Sequence, residues 1–369
     1  MFIRKITAFI LFGASILFCC SFETGAAEIS MSAPETSAVS AILICSEGNR
    51  VLYEKNADQR LPIASITKIM TAVIALEYAA KDDKLITFDN SMSAEGSSLY
   101  LEYGDRLRLS ELVKGMLCVS GNDAANAVAI GIAGSIEAFS ELMNNKASEL
   151  GMMNTHFVTP SGLDAEGHYS TARDMAVLCS YAMKSPVFAD IVSRKNLEVS
   201  FEYPENKKRS CVNHNRLLSE YEGCTGIKTG YTDKAGRTLT SCVRRNGTDL
   251  IAVTLNDRND WADHKALFDY GFSRCTRLRA AAREQCFSLP VVGGDSDEIT
   301  VSPETDCFCT GIRGEESRLE YKLVMPHFVY APINKGEVTG SLCCYLDGRR
   351  IAVVPLRAAM SVETEKGEK

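Results

Sequence analysis

Ala64-Ser65-Ile66-Thr67-Lys68-Ile69-Met70-Thr71-Ala72 sets a hydroxyl at Ser65 and an amine at Lys68, three residues apart, ahead of a mostly apolar run from Ile69 through Tyr78 without Gly or Pro. The run predicts a buried helix with Ser65 at its N-terminal end. Positions i and i+3 share a helix face, so the amine can reach the hydroxyl. A serine hydroxyl is a poor nucleophile until a base takes its proton. Lysine serves as that base only when neutral, which requires surroundings that disfavour its charge. A helix N-terminus also presents free backbone N–H groups where an oxyanion can form. Alone, Ser-x-x-Lys arises by chance in a chain of 369 residues, and the plain reading is a helix start with a solvated lysine. The rest of the chain has to decide between the two.

The length allows two or three domains, and hydrophobic and charged contents of 46% and 24% are ordinary for globular proteins, so a sizeable core is expected. A net charge of −7 argues against a nucleic-acid binder. Arg4 and Lys5 precede an apolar run from Ile6 to Cys20, and Gly25-Ala26-Ala27 offers a small-residue cleavage site, which predicts a secretory signal peptide over 1–27 and an exported protein. Cys19 and Cys20 raise the lipoprotein alternative, but Leu17 and Phe18 put bulky side chains where small ones are wanted. Twelve cysteines lie beyond the leader; Cys307-x-Cys309 and Cys343-Cys344 do not fit a zinc pattern, and no disulfide can be assigned from spacing. Cys118 and Cys179 sit in apolar runs and read as small core residues. His156, His168, His214, His264 and His327 show no H-x-x-H spacing, so no metal site is expected, and no G-x-S-x-G supports a Ser–His–Asp triad.

Residues 28–37 are mostly small and polar and read as a linker. Strand-like runs Ala38–Ile44 and Val51–Glu54 flank Gly48-Asn49 as a hairpin. Helices are expected from Ser110, from Asp123, from Ile136 to about Leu150, and after the Ser170-Thr171 cap. Strands return at Ile227–Gly230, Thr238–Arg244 and Asp249–Leu255, and a helix spans about Trp261 to Tyr270. Strands at both ends with helices between predict an α+β domain over 38–274, its antiparallel sheet flanked by helices. Past Cys275 only short strands and turns remain, predicting a small β-sandwich over 275–360, followed by a charged, disordered tail over 361–369. That tail holds no amphipathic helix, so no C-terminal membrane anchor is expected.

Three short elements stand in order: Ser65-x-x-Lys68 opening a helix, Ser120-Gly121-Asn122 between helices, and Lys228-Thr229-Gly230 on a strand. Together they resemble the motifs of the penicillin-recognising serine enzymes (transpeptidase/β-lactamase-like fold). Arg50-Val51-Leu52-Tyr53-Glu54-Lys55-Asn56-Ala57, the stretch from Gly162-Leu163-Asp164 through His168-Tyr169-Ser170-Thr171-Ala172, and Gly226 through Thr232 with Ala235-Gly236 are similar to the low-molecular-mass D-alanyl-D-alanine carboxypeptidases. Ala331-Pro332-Ile333-Asn334-Lys335-Gly336 resembles that family's C-terminal β domain.

The resemblance implies a cofactor-free serine carboxypeptidase, inhibited by β-lactams, that removes the terminal D-alanine from peptidoglycan stem peptides ending in D-Ala-D-Ala. It implies Ser65 as nucleophile, Lys68 as base, and Ser120 with Lys228 as a relay to the leaving amine. Asn122 would hold the substrate amide. The backbone at Ser65 and Tyr231 would form the oxyanion hole, with Gly230 on the same strand. The substrate carboxylate needs a cation; Thr229 can donate to it, and Arg258, just after the strand ending near Leu255, is the candidate guanidinium. The plain alternatives are a helix cap for Asn122 and a solvated loop arginine for Arg258.

Two other functions stay open from the residues. A class A β-lactamase needs a deacylating glutamate. Its Glu-x-x-Leu-Asn pattern is missing, with Glu141-Leu142-Met143-Asn144-Asn145 the nearest approach. A non-catalytic penicillin-binding sensor or structural wall protein could use the same fold. Intact Ser65, Lys68, Ser120 and Lys228 weigh against it.

Overall fold

The computed structural model describes residues 32–365, apart from the side chains of Glu316 and Arg349. The expected signal peptide over 1–27 lies outside the described residues. Strands β1 (Ser40–Cys45) and β2 (Arg50–Lys55) form the first hairpin, with Gly48 and Asn49 at φ of 78° and 51° in its turn. A 3-10 turn, Ala64–Thr67, runs directly into α1 (Lys68–Ala79). A short pair, β3 (Leu85–Thr87) and β4 (Arg106–Arg108), leads to a helical middle: α2 (Leu109–Cys118), α3 (Asn122–Ala133), α4 (Ile136–Glu149), α5 (Ala172–Ala182) and α6 (Pro186–Ser193). The hairpin β5 (Asn196–Ser200) and β6 (Lys208–Val212), and a single turn α7 (Leu217–Glu220), precede β7 (Cys224–Thr232), β8 (Gly236–Arg245), β9 (Thr248–Leu255) and α8 (Asp260–Arg274).

The central sheet has the order β2-β1-β9-β8-β7, so strands from the two ends of the domain meet where β1 pairs antiparallel with β9. β1 is buried on every residue because helices cover both faces. Ile42, Ile69, Met70, Val113 and Phe139 belong to one continuous core, each such side chain contributing about 1.5–3 kcal/mol on burial. Leu43, Leu250 and Phe268 form a second cluster under α8. β7 is the last strand in the order, so its free edge is left to face the Ser65 turn. Thr171 Oγ1 accepts from Asp174 N at 3.1 Å, the cap expected for α5.

α6 and the β5–β6 hairpin were not foreshadowed by periodicity. Pro186 reads as a breaker in sequence, yet it sits in the first turn of α6, where its missing N–H costs nothing, and Ser185 caps that helix.

The C-terminal part is all-β, as expected. β10 (Cys275–Ala281) pairs with β13 (Cys307–Ile312). β11 (Phe287–Val292), β12 (Glu298–Pro303), β14 (Leu319–Val324), β15 (Val329–Tyr330), β16 (Val338–Leu346) and β17 (Arg349–Ala358) make a six-stranded sheet ordered β14-β16-β17-β12-β11-β15. The β10–β13 pair meets the first hairpin: Arg50 donates to Glu315, just after β13, at 2.7 Å, and Thr310 N on β13 donates to Glu47 at 2.8 Å.

Two expected loose segments are ordered. In the expected linker, Ser37 N donates to Asp263 at 2.6 Å and its hydroxyl to Asp257 at 2.6 Å, fastening residues before β1 to the start of α8. In the expected tail, Val362 is buried and bridges Ile333, and Thr364 bridges Gly294, because Val362 fills the β-domain core. All twelve described cysteines are free thiols, and Cys118 and Cys179 are core residues.

Candidate active site

Ser65 lies in the 3-10 turn rather than in α1 itself, one residue after Ala64, which takes a left-handed φ of 48°. The turn lifts Ser65 to partial exposure while Lys68, at the first position of α1, is completely buried. Gly162 makes this turn possible: at φ +82° a Cβ there would stand 2.0 Å from the carbonyl oxygen of Ala64.

Lys68 Nζ donates to Ser65 Oγ at 2.9 Å, to Asn122 Oδ1 at 2.7 Å and to the Ser161 carbonyl at 2.6 Å. Burial, and then the neighbouring charge of Lys228, push the Lys68 amine well below its ordinary range, against an opposing pull from Asp123. Lys228 is buried on β7, donates to the Thr229 carbonyl at 2.9 Å, and is pushed down to about 7 by burial. Two amines in one dry region cannot both keep a proton, so the neutral form of Lys68 that a base needs is favoured by this geometry.

Ser120 occupies the loop between α2 and α3 at φ +61° and is buried. Asn122 opens α3, but its side chain makes no helix cap. Its oxygen accepts from Lys68 and its nitrogen donates to the Glu95 carbonyl at 2.6 Å. It therefore holds the lysine; it does not line the cavity. On β7, Gly230 passes so close to the turn that a Cβ would stand 2.9 Å from Ser65 N and 2.4 Å from Thr238 Oγ1. Only a residue without a side chain lets the strand edge and the serine N–H come this near.

A cavity of about 340 Å³ brings Ser65, Ser120, Thr229, Gly230 and Tyr231 together. Arg258 is not part of it; the residue is exposed beyond β9. The cation at this cavity is Arg237, opposite Tyr231 in the β7–β8 register. Its guanidinium donates to the buried Asp260 carboxylate at 2.7 and 3.0 Å and lies 5.7 Å from the Trp261 ring centroid. Arg237 went unnoticed in sequence because it follows Ala235-Gly236 like any polar strand start. The usable signal was an arginine at the head of the strand that pairs with Lys228-Thr229-Gly230. Asp123 was also missed: its carboxylate accepts from Ser98 Oγ, Leu99 N and Leu101 N at 2.7, 2.8 and 3.0 Å, tying the 97–101 segment to α3.

The remaining titratable groups do not form a rival centre. His168 is buried against Thr67 Oγ1 at 2.8 Å, and burial lowers it to about 4. A larger cavity of about 530 Å³ near Val73, Tyr181 and Phe188 is mostly apolar, and none of Ser65, Lys68, Ser120 and Lys228 lines it. Among the described residues no cluster of three metal-ligating side chains occurs, and no single helix is long and apolar enough to cross a membrane.

A serine on a helix-opening turn, hydrogen-bonded to a buried lysine and faced by a Lys-Thr-Gly strand edge, defines the penicillin-recognising serine hydrolases. The D-alanyl-D-alanine carboxypeptidase family model matches residues 27–259, and the model for the C-terminal domain of penicillin-binding protein 5 matches residues 281–364. The chain is 35% identical to D-alanyl-D-alanine carboxypeptidase DacF of Bacillus subtilis over 333 residues, 87% of this chain and 85% of the relative. It is 35% identical to DacA of Escherichia coli K12 over 340 residues, 88% of this chain and 83% of the relative. The crystal structure of penicillin binding protein 5 from Haemophilus influenzae superposes with a TM-score of 0.66 at 27% identity, covering 90% of this chain and 99% of that one. The chain belongs to the D-alanyl-D-alanine carboxypeptidase family and is a serine-type hydrolase of the low-molecular-mass penicillin-binding class.

Proposed function

We propose that this protein releases the terminal D-alanine from peptidoglycan stem peptides through an acyl-enzyme on Ser65. The observation that carries the reading is the 2.9 Å contact between Ser65 Oγ and the wholly buried Lys68 amine. Lys68 takes the Ser65 proton as Oγ attacks the carbonyl between the two alanines. The tetrahedral oxyanion is met by the backbone N–H groups of Ser65 and Tyr231. Collapse expels D-alanine, whose amine receives a proton from Lys68 through Ser120, with Lys228 keeping Lys68 from holding a proton at rest. Water then attacks the acyl carbonyl, and Ser65 leaves with its proton restored.

Asn122 orients Lys68 and shields it from rotation. Thr229 and Arg237 receive the substrate carboxylate, a planar guanidinium being suited to two carboxylate oxygens. Arg237 replaces Arg258 in this role because it borders the cavity. A β-lactam presents the same acyl group, but its leaving nitrogen stays tethered, so the adduct persists.

The action on cell-wall peptidoglycan places the protein outside the cytoplasm. Export through cleavage of the 1–27 leader is supported by its charged start, apolar run and Gly25-Ala26-Ala27 end. N-terminal sequencing of the mature protein from its host tests that part; a start at Met1 or Cys19 would overturn it. The activity is tested by D-alanine release from a peptide ending in two D-alanines. Failure to release it, with β-lactam acylation intact, would favour a penicillin-binding sensor.

A further inference from the structure

The segment from Ser97 to Gly104 is held more tightly than a surface loop requires. Ser97 borders the catalytic cavity, and its carbonyl accepts from Asn122 N at 2.7 Å. The Asp123 carboxylate takes the N–H groups of Leu99 and Leu101, and Ser98 Oγ, which donates to that carboxylate, accepts from Tyr100 N at 2.8 Å. Leu99 is buried against α2, where a Cβ at Gly115 would stand 2.4 Å from it. At the far end Asp105 accepts from Glu102 N at 2.8 Å and from Lys207 at 2.8 and 2.9 Å.

The consequence falls on Tyr100. Its neighbours turn inward, so its ring is forced outward, 70% exposed, at a left-handed φ of 56°. A tyrosine in that region costs roughly 1–2 kcal/mol, which the anchored neighbours must offset. The guanidinium of Arg209, on β6, lies 5.6 Å from the ring centroid. Lys207 and Lys208 beside it are each paired with a carboxylate. Arg209 forms no ion pair with a carboxylate among the described residues, and Glu102 is already held by Lys207 at 2.8 Å. A strained, solvent-facing ring, with a cation against it, thus follows three residues after Ser97 at the border of the catalytic cavity, on an anchored backbone.

The geometry points to Tyr100 and Arg209 as a platform for the part of the peptide upstream of the scissile bond, specific for a segment that carries a carboxylate. Tyr100 offers a flat apolar surface to the peptide backbone, and Arg209 offers the charge complement to an acidic residue. This rests on the carboxypeptidase reading and adds to it a preference for long, acidic peptides over short ones. Neither residue touches the reacting atoms.

Three probes separate the elements: diacetyl-L-Lys-D-Ala-D-Ala, the pentapeptide L-Ala-γ-D-Glu-L-Lys-D-Ala-D-Ala, and the same pentapeptide with the glutamate carboxylate amidated. Tyr100→Ala should lower kcat/KM about tenfold on both pentapeptides, mainly through KM, and leave the tripeptide unchanged. Arg209→Gln should lose about fivefold to tenfold on the acidic pentapeptide alone. Unchanged β-lactam acylation in both variants would show that the fold and Ser65 are intact. Equal losses on all three probes, or no loss on the acidic pentapeptide, would overturn the platform. Wild-type protein that releases D-alanine from none of the probes would overturn the carboxypeptidase reading instead, and the platform with it.

Discussion

Lys68 Nζ stands 2.9 Å from Ser65 Oγ, with the lysine fully buried and its other bonds made to Asn122 Oδ1 and the Ser161 carbonyl. A charged amine would suit those three oxygens, yet burial and Lys228 oppose that charge. The lysine is thus poised to gain the serine proton and to give it up again. Ser65→Ala should remove the single drug-sized mass increment that a β-lactam leaves on the intact protein. An adduct persisting in that variant, seen by intact-mass spectrometry, would place the nucleophile elsewhere.

Replacing the base tests the other half of that pair. Lys68→Arg keeps a cation but cannot give up its proton near neutrality. Acylation by a β-lactam should slow by about 10²–10⁴-fold, with circular dichroism reporting retained structure. In the wild type the rate should fall with decreasing pH as Lys68 gains a proton and loses its basic form. A pH-independent rate would contradict the assignment.

Lys228 should show a trade between stability and activity. Its folded-state value of about 7 lies below the ordinary 10.5 of an unfolded chain. The unfolded state therefore binds more protons between those values, and wild-type stability gains from rising pH across that window. The penalty for the buried charge is complete below about 7 and disappears above 10.5. Lys228→Met should accordingly be more stable than wild type at pH 6, by about 1–4 kcal/mol, with the difference shrinking toward pH 10. Denaturant midpoints at the two pH values measure it, and D-alanine release should be severely impaired throughout.

The carboxylate contact separates Arg237 from Arg258. Arg237→Ala should reduce turnover of peptides with a free terminal carboxylate by about 10–100-fold, and much less for a terminal amide. Arg258→Ala should leave both nearly unchanged, since that side chain is exposed away from the cavity. Steady-state kinetics on the matched pair of peptides decides; the reverse ranking would restore Arg258.

Gly162→Ala probes the turn under the nucleophile. The new methyl would meet the Ala64 carbonyl oxygen at 2.0 Å from a backbone at φ +82°. Crowding and backbone strain together should cost roughly 3 kcal/mol or more, lowering the thermal midpoint and slowing acylation. A variant with wild-type midpoint and acylation rate would mean that the turn does not depend on this glycine.

Much of this protein was determined locally and could be read from sequence alone. Hairpins follow from Gly48-Asn49 and Asn246-Gly247, whose left-handed conformations suit few other residues. Helices such as α5 follow from a cap and an apolar period. Ser65 and Lys68 are three residues apart, so helical geometry alone brings them together, and the order of the three motifs identified the family. What only the tertiary structure decided depends on contacts far apart in the chain. Arg237 reaches the cavity because β8 pairs with β7, whereas Arg258, near in sequence to where a cation was expected, leaves on the loop before α8. Asn122, expected to hold the substrate amide, has its amide oxygen on Lys68, because α3 packs on α1 and brings the buried side chain to the buried amine. Ser37 and Val362 sit in segments of small or charged residues that give no periodic signal. They are ordered because one finds the Asp257–Asp263 carboxylates and the other fills a space in the β-domain core, partners that exist only once the chain has folded.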